Sequence, residues 1–123
     1  LLPTRARWRA GVLLLVSGGL AIGMAALQLL RENGIEPEIV EYLKTPLDAA
    51  QLADVLKNLD VPPHDAVRAK ESPYPASGLS PDSSLKDICT AIAAEPILLE
   101  RPIVVKNNQA IIARPPENAL KLL

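Results

Sequence analysis

Arg101-Pro102-Ile103-Val104-Val105-Lys106-Asn107-Asn108-Gln109-Ala110-Ile111-Ile112-Ala113-Arg114 reads as a β-hairpin. The runs Ile103-Val104-Val105 and Ala110-Ile111-Ile112 are rich in β-branched residues, which suit a pleated, half-buried surface. The polar segment Lys106-Asn107-Asn108-Gln109 joins them. A hairpin of this kind carries Arg101 at its entry and Arg114 at its exit to one end of a sheet. Two guanidinium groups held together there suit an oxyanion, because each fork donates to two oxygens and stays ionised. Pro115-Pro116-Glu117 then starts a final helix, with Leu120 and Leu123 expected against the sheet.

Working upstream, Ser83 or Ser84 caps a helix running to Ala94, with Leu85, Ile88, Cys89 and Ile92 on its apolar face. Pro96 ends it. Glu71 to Asp82 is loop, and His64 to Lys70 is a short helix. Leu47 to Leu59 is a longer helix, with Leu52, Val55, Leu56 and Leu59 at spacings of three and four and Asp48 at or before its first turn. Glu38 to Leu43 alternates as a strand. Ala21 to Asn33 reads as a helix ended by Gly34, after a strand Val12–Val16 and a turn Ser17-Gly18-Gly19. The order is strand, helix, strand, helix, helical insert, two strands, helix. That implies an α/β fold with a thioredoxin-like mixed sheet flanked by helices and a helical insert between the second and third strands.

Composition narrows the function. The chain has 123 residues, enough for one modest core. With 13 basic and 14 acidic residues it lacks the surplus a nucleic-acid binder needs, and without Phe it lacks stacking platforms. A single cysteine, Cys89, excludes an internal disulfide and a zinc cluster. On the apolar face of its helix it reads as a buried structural thiol. His64 reads as a surface residue at a helix start, and Tyr42 and Tyr74 as packing residues. No metal site is expected.

The first residues differ in character. The chain opens on Leu1 rather than Met, as an unusual start codon, a fragment or a misread coding frame would each produce. Arg5, Arg7 and Arg9 precede an uncharged run from Gly11 to Leu30. Two readings stand for that run. One is a membrane span with the arginines on the cytoplasmic side, or a signal peptide. The other is the strand, turn and helix given above. A Gly18-Gly19 turn at a helix start also offers backbone amides to an anion, though a plain turn is the simpler reading.

Several motifs carry a resemblance. Leu27-Gln28-Leu29-Leu30-Arg31-Glu32-Asn33-Gly34-Ile35-Glu36-Pro37, Tyr42-Leu43-Lys44-Thr45-Pro46, Pro96-Ile97-Leu98-Leu99-Glu100-Arg101-Pro102-Ile103-Val104-Val105 and Arg114-Pro115-Pro116-Glu117 follow one another in order. On these the run 27–123 resembles the ArsC-type, glutaredoxin-coupled arsenate reductases, in their YfgD-like branch. The resemblance divides the chain into an atypical segment 1–26 and an ArsC-like domain 27–123. It implies oxyanion binding by Arg68, Arg101 and Arg114, and a cis-proline at Pro102. It implies arsenate or a similar oxyanion as substrate, glutathione as co-substrate, glutaredoxin as partner, no bound cofactor and a cytoplasmic location. A membrane anchor through 11–30 remains the alternative, disfavoured because Leu27 to Leu30 belong to the family's first helix.

In that family a cysteine at the start of the first helix attacks arsenate as a thiolate. Counted back without gaps, its position here is Leu20, and the serine, lysine and arginine positions that follow fall on residues 21–24. Leucine has no nucleophile. The resemblance therefore implies an arsenate reductase family protein of impaired or absent activity, or a non-catalytic oxyanion-binding or regulatory module.

Overall fold

The computed structural model describes residues 11–17 and 20–123. Arg5, Arg7, Arg9 and the Gly18-Gly19 turn lie outside the described residues. Four strands form one mixed sheet: β1 (Val12–Val16), β2 (Glu38–Glu41), β3 (Ile103–Lys106) and β4 (Gln109–Ile112), in the order β2-β1-β3-β4. β1 runs parallel to β2 and antiparallel to β3, and β3 and β4 are antiparallel. Among the described residues four α-helices accompany them: α1 (Leu20–Glu32), α2 (Ala49–Leu56), α3 (Tyr74–Ser77) and α4 (Leu85–Ala94). The stretches Pro63–Ala66, Pro96–Leu98 and Pro116–Leu122 are 3₁₀ turns. The expected mixed sheet with flanking helices and a helical insert before β3 is present.

β1 is a central strand, so both of its faces must be covered. That is why its sequence is an unbroken apolar run rather than an alternation. Leu13 and Leu15 point to one side and pack with α2 (Leu52, Val55, Leu56) and α4 (Ile88, Cys89, Ile92). Leu14 points to the other, with Ala26, Leu27 and Leu30 of α1, Val104, Ile111 and Ala119. The period of two along the strand thus separates two cores. Among the described residues of the run 11–30, 12–16 form this strand and 20–30 belong to α1. Among the described residues no helix is long and apolar enough to cross a membrane. The 26/27 division suggested by the motifs falls inside α1.

Capping sets the helix ends. Asp48 is the N-cap of α2: its side chain accepts from the Gln51 amide at 2.7 Å, and the Gln51 side chain accepts from the Asp48 amide at 3.0 Å. This reciprocal box starts the helix two residues later than the apolar periodicity suggested. Ser84 caps α4 by accepting from the Asp87 amide at 3.1 Å. Gly34, at φ +79°, ends α1 in the left-handed conformation.

Three segments differ from expectation. The helix expected over His64–Lys70 stops at Ala66, because Val67 leaves it extended and bridges antiparallel to Leu99. The loop Glu71–Asp82 contains α3. The last segment turns as a 3₁₀ helix whose buried residue is Ala119, leaving Leu120 and Leu123 exposed. A three-residue repeat presents a different face from the expected α-helix.

Gly23 marks the closest approach of α1 to the sheet. A Cβ built there would lie 2.8 Å from Val16 Cγ1. Gly23→Ala is expected to destabilise the fold by about 1 kcal/mol, as overpacking outweighs the gain in helix propensity. Urea unfolding measures it, and Val16→Ala in the same chain is expected to restore most of the loss.

Candidate oxyanion site

The hairpin register decides where the arginines stand. Ile103 pairs with Ile112, and the Ala113 amide continues the ladder to the Pro102 carbonyl at 2.9 Å. One step further places Arg101 opposite Arg114. The connection is a two-residue Asn107-Asn108 loop rather than four residues, with Asn107 at φ +56°. Because β1 pairs Leu15 with Ile103, this end of the hairpin meets the C-terminal end of β1. The first residue of α1, Leu20, follows shortly after that strand end. Both Arg101-Pro102 and Arg114-Pro115 peptides are cis; the second had no signal in the sequence reading.

Arg68 comes from the insert. The Val67–Leu99 bridge is flanked by two 2.7 Å bonds, from the Arg68 amide to the Leu98 carbonyl and from the Glu100 amide to the Ala66 carbonyl. These lock 66–68 alongside 98–100, immediately before Arg101. An extended segment, not a helix, therefore presents Arg68.

The three guanidinium groups have different partners. Arg114 Nη1 donates to Glu100 Oε1 at 2.8 Å, and Arg68 Nη2 lies 3.4 Å from Glu71 Oε2. Arg101 Nη1 is buried and has no hydrogen-bond partner among the described residues. A buried cationic donor left without an acceptor is costly, so an acceptor at this place would stabilise it.

Two residues of this cluster were not singled out from the sequence as site members. Glu100 holds it together: its Oε1 also accepts from the Arg101 amide at 3.0 Å. A carboxylate directly before Arg101 was the available signal. Tyr42 is buried, as a packing residue should be, yet its hydroxyl donates to the Leu99 carbonyl at 2.7 Å. Burial pushes its pKa up to about 12, against the opposing pull of the Arg101 and Arg68 charges. The other tyrosine, Tyr74, contacts His64 Nε2 at 2.8 Å. His64 is accordingly half-buried rather than a free surface residue.

Cys89 is no substitute nucleophile. It is 2% exposed within the α4 core, and burial pushes its thiol pKa up, which disfavours the thiolate. A groove of about 590 Å³ beside α4 is lined by Ser72, Ser77, Thr90, Asp87 and Glu95 among others. Its charged groups are acidic, so it does not suit an anion. Among the described residues no cluster of His, Cys, Asp and Glu has metal-binding proximity.

Comparison with known proteins shows the family. The ArsC family model matches residues 64–122. YfgD of Escherichia coli (strain K12), an uncharacterized protein, is 48% identical over 100 residues, covering 79% of this chain and 83% of the relative. An arsenate reductase of Neisseria meningitidis is 43% identical over 96 residues, covering 76% and 82%. This chain belongs to the ArsC family. The arsenate reductase from Vibrio cholerae superposes with a TM-score of 0.82 at 32% identity, covering 92% of this ArsC chain and 98% of that one. The shared fold is thioredoxin-like, and the structural likeness extends upstream of the motifs that begin at Leu27.

Tyr42 and Cys89 give direct tests of these surroundings. A folded-state pKa raised above the unfolded value means that the neutral phenol is the favoured form. Its stabilisation is complete below about pH 10 and is lost as pH rises toward about 12. The phenolate absorbance of this two-tyrosine chain is expected to show a late phase near pH 12 that Tyr42→Phe removes. The same substitution is expected to cost about 1 kcal/mol at neutral pH through the lost bond to Leu99. Cys89 is expected to resist alkylation until the protein is unfolded.

Proposed function

We propose that this ArsC-family chain binds arsenate or a similar tetrahedral oxyanion through Arg101, Arg114 and Arg68, and that it reduces arsenate slowly or not at all. The observation that carries the reading is the buried, unpartnered Nη1 of Arg101 at the end of the hairpin. Two guanidinium groups carried at the same end of a hairpin are suited to chelate two oxygens of one anion. Arg68 adds a third positive charge from the insert.

Reduction needs more than the arginines. In the family's chemistry a thiolate attacks arsenic and displaces one arsenate oxygen, which leaves as water. The sulfur of glutathione then attacks the protein sulfur to form a mixed disulfide, and the electron pair of the breaking S–As bond stays on arsenic, taking it from arsenic(V) to arsenic(III). Glutaredoxin returns the thiol. The start of α1 is the place for such a thiolate, since the helix N-terminus favours negative charge. Leu20 stands there, and its hydrocarbon side chain has no electron pair to donate. The co-substrate and partner of an active form would be glutathione and glutaredoxin, which suits a cytoplasmic location, where thiols are kept reduced.

Calorimetric titration tests the binding half. Arsenate and phosphate are expected to bind, and Arg101→Ala is expected to weaken binding by at least tenfold. Absence of binding in the parent chain, or an unchanged affinity in the variant, would overturn the reading. Turnover with arsenate, glutathione and glutaredoxin tests the other half. The parent is expected to stay at background, and Leu20→Cys to rise above it. Robust parent turnover that persists in Cys89→Ser contradicts the assignment of Leu20.

A further inference from the structure

We propose that Glu100 is a specificity-determining residue of the oxyanion site, selecting anions that carry their own O–H, such as hydrogen arsenate or hydrogen phosphate, over sulfate. This rests on the oxyanion reading of the arginines. Glu100 Oε1 accepts from the Arg114 guanidinium at 2.8 Å and from the Arg101 amide at 3.0 Å. An anion held by the Arg114 guanidinium therefore lies close to this carboxylate, whose contact with Arg101 runs through the backbone amide. No hydrogen bond among the described residues reaches its second oxygen, Oε2.

The carboxylate is well placed to act as a filter. Its side chain is 20% exposed, so its charge is only partly screened by water. The bonds on Oε1 and the amide bond to the Ala66 carbonyl restrict its movement away from the arginines. An ionised carboxylate is only an acceptor. Hydrogen arsenate and hydrogen phosphate each have a hydroxyl that donates to it, which turns repulsion into a charge-assisted hydrogen bond. Sulfate at neutral pH has four oxygens and no proton. It brings acceptor against acceptor and like charge against like charge. Sites that require a hydrogen bond reject a ligand lacking it far more strongly than apolar sites discriminate size.

Glu100→Gln separates this role from a structural one. Glutamine keeps an oxygen to accept from Arg114 and from the Arg101 amide, so the scaffold is retained. It removes the negative charge and supplies an NH₂ that donates to any oxyanion oxygen. Phosphate, arsenate and sulfate are titrated at neutral pH and constant ionic strength into the parent chain, Glu100→Gln and Glu100→Asp. The parent is expected to prefer arsenate and phosphate over sulfate by about tenfold or more. Glu100→Gln is expected to raise sulfate affinity about tenfold and to lose most of that preference, whereas Glu100→Asp retains the preference.

The outcomes distinguish the two readings. No binding of any of the three anions by the parent sinks the oxyanion site itself. Binding without preference in the parent, or a preference that survives in Glu100→Gln, sinks the role of Glu100 and leaves the site standing. Should Glu100→Gln fail to fold, as judged by circular dichroism, a parent and Glu100→Asp that do not share the preference overturn the proposal. A shared preference supports it.

Discussion

The register of β3 against β4 is the constraint on which the site depends. Side chains alternate along a strand, so a slip of one residue would turn Val104 and Ile111 away from α1 and carry Arg101 out of line with Arg114. The apolar pairs of the hairpin hold the register because both of its faces are buried, one against α2 and α4 and the other against α1. Hydrophobic burial, which has no direction of its own, thereby acquires a direction through the ladder. It fixes the place of two cations that take no part in the core.

A second constraint joins the insert to the sheet. Residues 66–68 pair with 98–100, and Tyr42 reaches from the end of β2 to the Leu99 carbonyl. Two separated segments therefore converge on the few residues before Pro102. Each contact satisfies backbone groups that burial would otherwise leave unpaired. The arginines receive their positions from this backbone network, while Glu100 and Glu71 orient two of the guanidinium groups.

Much of the fold was legible in the chain. The unbroken apolar run of β1, the period of α2 and α4, and the β-branched runs of the hairpin each record how completely a segment is buried. Less legible were boundaries set by polar bonds. The Asp48–Gln51 box shortened α2, and the bridge of Val67 to Leu99 turned an expected helix into an extended segment. The final turn followed a three-residue repeat and buried Ala119 instead of Leu120 and Leu123. In each case a contact or a change of helical period outweighed a local propensity, and a local reading weighs propensities only.

The sequence by itself determined the four strands and the three longer helices, the family, the hairpin that bears Arg101 and Arg114, and the leucine at position 20. All of these rest on residue identity and short-range periodicity. Only the tertiary structure decided that Arg101 has a buried nitrogen without a partner among the described residues, and that Tyr42 bonds the Leu99 carbonyl. It alone showed that Glu100 bonds both Arg114 and the Arg101 amide. Those facts depend on groups far apart along the chain coming within hydrogen-bond distance, and the pairing of strands and segments in space sets that distance.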